Sequence, residues 1–223
     1  ESEHRYKNFD MAAYTLKHPG HAGLQTPEWD VAKFMGFSFD DTDVYKTIEG
    51  ASYILQTYPD KKLKAYIDSV LNIVGAAQEP DGYLYTARTI NPEHPHAWSG
   101  KKRWEKEEDL SHELYNLGHM VDAACAHYQA TGSHKFLDIA RRYADCVCRE
   151  VGSGSGQATV VPGHQIAEMA LARLYTLTGE KRYLDEAKYL LDFRGKTHIR
   201  QEYSQSHKPI LNQDEAVGHA VRA

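Results

Sequence analysis

The sequence predicts an all-α chain of repeated helical hairpins, arranged as a solenoid or a closed ring, and three observations carry that reading. Apolar residues recur at spacings of three and four in segment after segment, the period of a helix with one buried face. The stretch Tyr128 to Asp138 (YQATGSHKFLD) is echoed by Tyr175 to Asp185 (YTLTGEKRYLD), each reading as helix, tight Thr-Gly turn, helix. No run alternates as a strand would. Irregular loops separate the hairpins on one side, which favours a ring whose loops build a site.

The elements follow in order. Tyr6 to Lys17 predicts a first helix, and His18 to Glu28 a loop rich in Gly and Pro. Asp40 to Asp43 opens a second helix that runs to Thr57, where Pro59 stops it. Lys62 to Ala77 forms a third, with Leu63, Ile67, Val70, Leu71 and Val74 as its apolar stripe. Thr57 to Lys64 is thus a weaker copy of the hairpin turn. Pro80-Asp81-Gly82 is a tight turn, expected to throw Tyr83 and Tyr85 outward from a helix end. A loop from Arg88 to Asp109 carries His94, His96, Trp98 and Trp104. Loops of that length are usually functional or disordered, and two Trp argue against disorder.

The central helix is expected from Ser111 as N-cap to Gly132 just past its end, burying Leu114, Leu117, Val121, Ala124 and Cys125. Lys135 to Glu150 is its partner, and Gly152 to Gly156 a flexible link without the GK[ST] of a P-loop. Pro162-Gly163-His164 opens a helix to Thr178, and Lys181 to Phe193 pairs with it. Gly195 to Asn212 reads as a polar loop and Gln213 to Ala223 as the start of another helix.

Composition narrows the function classes. The 223 residues are 41% hydrophobic and 26% charged, with a net charge of −5. That is ordinary for a globular protein and gives no electrostatic case for nucleic acid or an anionic membrane. Nothing approaches the roughly 20 apolar residues of a membrane span. The chain begins without Met and ends inside an apparent helix, so it reads as a piece of a longer protein. Cys125, Cys146 and Cys148 have no framework spacing and are expected to be small core residues rather than metal ligands. Fifteen Tyr and 13 His against six Phe suit either helix–helix contacts or a sugar-binding cleft, where ring faces stack and hydroxyls need partners.

The central helix also carries a polar row. His112, Tyr115, Asn116 and His119 stand at i, i+3, i+4 and i+7, on one face at one helix end. They line a pocket or are simply exposed histidines with a capping Asn. HELYN resembles the zinc-protease signature H-E-x-x-H, but Asn116 stands where the second histidine ligand belongs, which removes that reading. Gly-His recurs at Gly118-His119, Gly163-His164 and Gly218-His219. Histidines at successive helix starts converge on a ring axis, where the helix dipole favours the neutral imidazole. Glu113, Glu168, Asp214 and Glu215 are candidate carboxylates for glycoside hydrolysis, with no spacing that singles one out.

These motifs resemble a known family. HELYNLGH from His112, VPGHQIAEMALARLYTLTG from Val161, QDEAVGHAVRA from Gln213, DTDVYKTIEGASYIL from Asp41 and AQEPDGYLYT from Ala76 are together similar to glycoside hydrolase family 127, which includes β-L-arabinofuranosidases. The resemblance runs from about Phe39 to the last residue. It implies an (α/α)6 barrel, of which residues 1–223 are a single partial domain holding about the first half of the ring. It also implies retaining hydrolysis of terminal β-L-arabinofuranosides.

In the family a zinc-held cysteine thiolate is the nucleophile and a glutamate the acid/base, both downstream of the GHAVR motif. The chain itself is therefore expected to hold no catalytic residue, to bind no zinc and to be inactive alone. His112, His164 and His219 are implied to bind sugar hydroxyls, with Tyr115 and Tyr83 beside them. The partner is a carbohydrate, with no nucleic acid and no membrane. Two alternatives are kept: another enzyme on the same barrel (an unsaturated uronyl hydrolase or a sugar epimerase), and a helical-repeat interaction protein without chemistry.

Overall fold

The computed structural model describes residues 3–20 and 34–194. Eight helices lie among them: α1 (Glu3–Lys17), α2 (Asp41–Thr57), α3 (Lys61–Ala76), α4 (Thr86–Thr89), α5 (Glu113–Thr131), α6 (His134–Glu150), α7 (Ala167–Thr178) and α8 (Lys181–Phe193). Among the described residues the only β pairing is an isolated bridge between Val151 and Ala158. No helix there is long and apolar enough to cross a membrane. The expected helix at Gln213, the loop from Gly195 and most of the loop after His18 lie outside the described residues.

The helices form two layers of an arc. Helices α2, α5 and α7 pack side by side as an inner layer, and α3, α6 and α8 cover them as an outer one. Each inner helix leads into an outer helix, so the inner helices run parallel and start at the same end. This is part of an (α/α)6 barrel.

The two copies of the YxxTG turn fold alike. Gly132 and Gly179 are both left-handed, at φ 69° and 74°. Their N–H groups donate to Tyr128 O at 2.8 Å and Tyr175 O at 2.7 Å. The Thr131 and Thr178 hydroxyls close the last turns by donating to His127 O and Leu174 O. Gly is needed at that conformation because a Cβ would strain it. The third turn is closed differently: Asp60 accepts from Lys62 N and Leu63 N as an N-cap after Pro59.

Helix α5 occupies the middle of the arc. Besides the five residues of its expected stripe, Met120, Asp122, Ala123, Ala126 and His127 are also buried, because α2, α6 and α7 surround it. Outer helix α6 instead buries one face (Phe136, Leu137, Ala140, Tyr143, Ala144, Val147) and leaves Asp138, Arg142 and Arg149 in solvent.

Gly118 permits the α5–α7 approach: a Cβ there would meet Ile166 Cγ2 at 2.5 Å and Ala167 N at 2.8 Å. We predict that Gly118→Ala destabilises by about 1–3 kcal/mol, since overpacking against backbone outweighs the better helix propensity of Ala. Denaturant unfolding of the two chains checks it, and a stabilised variant would refute it.

The Pro-Asp-Gly turn forms, but it points the tyrosines inward. Tyr83 and Tyr85 are both fully buried. Their neighbours supply the reason: edge-to-face packing joins Tyr83 to Trp104 and Tyr143, and both hydroxyls find buried acceptors. The Gly152–Gly156 segment is pinned rather than loose, because the Gln157 amide bonds Gly154 N, Cys148 O and Val151 O.

Candidate functional site

The starts of α5 and α7 meet at one end of the inner layer. His112 N-caps α5 and adopts the left-handed conformation, φ 60° and ψ 30°. Among the described residues only it and Trp104 do so without being glycine. Such backbone costs on the order of 1–3 kcal/mol and persists only when its surroundings impose it. Here they do. The expected cap, Ser111, does not cap; Glu107 reaches back from the preceding loop and accepts from Glu113 N at 2.7 Å and Leu114 N at 3.1 Å. Asn116 donates its backbone N–H and its side-chain amide to His112 O, at 2.9 and 2.8 Å. The His112 ring places Nδ1 2.6 Å from Leu110 O.

That last bond fixes the ring chemistry. A carbonyl only accepts, so Nδ1 carries the proton. Burial, and secondarily the nearby His164, disfavours the imidazolium. The neutral ring then keeps Nε2 as a hydrogen-bond acceptor.

Three of the predicted residues come together. The His112 ring lies 5.2 Å from His164 and 5.8 Å from Tyr115, and Tyr115 lies 5.7 Å from His164. His119 continues the row 4.5 Å from Tyr115. Lys46, from the start of α2, donates to the Tyr115 hydroxyl at 2.9 Å. Burial first, and Lys46 second, lowers His119 to about 4. His164 sits in the turn before α7, not on the helix, and is exposed. His219 lies outside the described residues. Asn116 is buried and serves His112 rather than a pocket. Tyr83 has no exposed surface; its hydroxyl donates to Glu113 Oε1 at 2.6 Å.

Next to His112 lies a buried acid pair: Glu113, a candidate carboxylate from the sequence, and Glu107, which sequence reasoning missed. Glu113 accepts from Tyr83, from Ser111 Oγ at 2.8 Å and from Trp104 N at 2.9 Å. Ser111 Oγ also lies 3.1 Å from Glu107 Oε2. The one hydroxyl thus bridges both carboxyls. Burial raises Glu113 to about 7 despite its donors, and raises Glu107 well above the usual range, reinforced by the charge of Glu113. Both are about 1% exposed or less, so Glu113 is a structural carboxyl and not a solvent-facing acid. Glu168 is likewise enclosed, paired with Arg194 at 3.1 Å.

These shifts set a pH dependence. Asp41 and Glu113 stand near 7, Glu186 near 8 and Glu107 above its usual range, all chiefly through burial. A raised carboxyl contributes stability below its unfolded pKa of about 4.3 and loses it as pH rises through the folded value. The lowered histidines (His96, His112, His119, His127) act oppositely, but only below about 6.5. We therefore expect the melting temperature to fall between pH 6.5 and 8, and Glu186→Gln to flatten that fall. A melting temperature that rises over this range would contradict it.

One cluster has metal-ligand chemistry. Asp81, Cys146 and Glu150 hold donor atoms within 4.8 Å of one another. The residues do not fit a zinc ion. Arg103 already binds both carboxylates at 2.7 Å and Glu79 at 2.7 Å, supplying the cation. The Cys146 thiol donates to Glu150, and burial pushes it far above the range in which a thiolate forms. Cys125 and Cys148 are raised to about 12, also by burial.

Comparison with known proteins identifies the family. Residues 4–223 match the family described as β-L-arabinofuranosidase, GH127 catalytic domain. A non-reducing end β-L-arabinofuranosidase of Bifidobacterium longum subsp. longum is 36% identical, over 85% of this chain and 32% of its own length. Among solved structures, a GH127 β-arabinofuranosidase superposes with a TM-score of 0.82 at 66% identity, over 96% of this chain and 32% of that one. A GH127 β-L-arabinofuranosidase from Geobacillus stearothermophilus T6 gives 0.73 at 38% identity, over 91% and 28%. The chain thus spans about a third of the length of these relatives.

Proposed function

Because the chain belongs to the GH127 β-L-arabinofuranosidase family, we propose that it is the substrate-recognising part of a glycoside hydrolase that releases terminal β-L-arabinofuranose with retention. Residues 1–223 then form one partial barrel domain, and carbohydrate is the partner. The observation that carries this is the convergence of His112, Tyr115 and His164 at the end where the inner helices start. Neutral His112 offers Nε2 as an acceptor for a sugar hydroxyl, and the Tyr115 ring offers a face beside it. His219 is assigned to the same sugar-binding group by its motif.

Chemistry is assigned to the longer protein. The thiols of buried Cys125 and Cys146 and of half-buried Cys148 are held protonated and are poor nucleophiles and poor zinc ligands. Zinc and the cysteine nucleophile therefore belong, in this reading, to segments other than the described one. The test is release of L-arabinose from an aryl β-L-arabinofuranoside. The longest natural chain containing these residues and the 223-residue chain are assayed side by side, with and without a zinc chelator. Turnover by the long chain alone, lost on chelation, is expected. Turnover by the 223-residue chain, or silence from the long chain with zinc supplied, overturns the proposal.

A further inference from the structure

Beside the histidine cluster an aromatic platform opens to solvent. Phe37 is 56% exposed, uncommon for a side chain in a pinned turn. It stacks on Phe39 (5.4 Å between centroids, 5° between planes) and on Trp98 (5.7 Å, 28°). Phe39 in turn touches the His112 ring at 5.2 Å. Rings therefore run without a break from the histidine site to an exposed face built by two loops, residues 34–40 and 91–112.

The platform is in register with the site. Buried Ser38 donates to Leu110 O at 3.1 Å, the same carbonyl that orients the His112 ring. On the other side, Trp98 N donates to His96 Nδ1, and Lys106 Nζ to Ala97 O at 2.8 Å. Phe37 and Trp98 are thus tied through the backbone of both loops to the segment that orients His112.

We propose that Phe37 and Trp98 form the platform for the sugar ring next to the one cleaved, on the leaving-group side. This rests on the functional reading above. If the terminal arabinofuranose is held by His112, Tyr115 and His164, the ring attached to it projects toward the mouth of the site. There an apolar sugar face meets the exposed ring of Phe37 and the half-buried ring of Trp98, while the sugar hydroxyls stay in water. The pair then sets which leaving groups the enzyme prefers, without touching the reacting atoms.

The test uses Phe37→Ala, Trp98→Ala and Phe37→Trp in the longest natural chain containing these residues. Two substrates are compared: a β-L-arabinofuranosyl disaccharide and methyl β-L-arabinofuranoside. Each alanine variant should raise KM for the disaccharide roughly 3- to 10-fold, the scale of one ring-stacking contact. Kinetics on the methyl glycoside should stay within about twofold, and Phe37→Trp should restore the disaccharide KM. Turnover of the methyl glycoside also reports that the variants fold. Equal losses on both substrates, or an unchanged disaccharide KM, overturn the platform while leaving the functional reading in place. A wild-type chain inert on both substrates overturns the functional reading and the platform with it.

Discussion

Replacing Glu113 with alanine is expected to destabilise the chain by about 3–5 kcal/mol, the scale of removing one partner from a buried, hydrogen-bonded ionisable network. The truncation leaves the Tyr83 hydroxyl, Ser111 Oγ and Trp104 N–H without their acceptor. All three groups are buried and cannot turn to water. It also removes the acceptor of the backbone N–H of Trp104, whose backbone is left-handed. Glu113→Gln keeps one acceptor oxygen and should cost less than half as much. Because burial raises both Glu113 and Glu107, the cost of Glu113→Ala should be larger at pH 6 than at pH 8, where more of the native pair is ionised and the native chain is already less stable. Equilibrium unfolding in urea at the two pH values measures this. A cost below about 1 kcal/mol at pH 6 would show that the loop holds Trp104 and His112 without the carboxyl.

The second large effect separates folding from function at one residue. His112→Gly, made in the longest natural chain containing these residues, is expected to lower arabinofuranoside turnover by about 100-fold or more. That is the scale for a site built to hydrogen-bond a substrate hydroxyl and left without the group. Stability should change little, within about 1 kcal/mol, because glycine adopts φ 60° without the strain histidine bears. That relief offsets the lost bond from Nδ1 to Leu110 O and the ring contacts with Phe39 and His164. Turnover and urea unfolding are measured on the same preparation. If activity survives, His112 is not a sugar ligand. If both collapse together, the His112 side chain holds the fold through its bond to Leu110 O and its ring contacts, and the loss of turnover says nothing about sugar binding.

Much of the arc was legible because its signals are local. The 3.6-residue period, Pro59 as a stop, and glycines at positions 132 and 179 depend on residues within a turn of one another. Helix existence and order, the hairpin repeat and the row of His112, Tyr115 and His119 on one face follow from that periodicity. The five motifs, read together, also identified the family. What could not be read depends on contacts between distant segments.

Tyr83 and Tyr85 look like exposed turn residues until Trp104, Tyr143 and Glu113, 20 to 60 residues on, close over them. Ser111 looks like the cap of α5, yet a carboxylate with no sequence signature, Glu107, takes that role from another loop. Lys46 is one more charge on an amphipathic helix until α2 sets it against Tyr115.

The sequence by itself determined that the chain is a series of helical hairpins and which residue types stand at the helix starts, because helix formation and capping are short-range. Only the tertiary structure decided which helices form the inner layer and which carboxyls are buried together. It alone gives His112 its left-handed backbone and the Nδ1 bond to Leu110 O that leaves Nε2 as an acceptor. Those outcomes depend on burial, and burial is a property of the packed arc rather than of any one stretch.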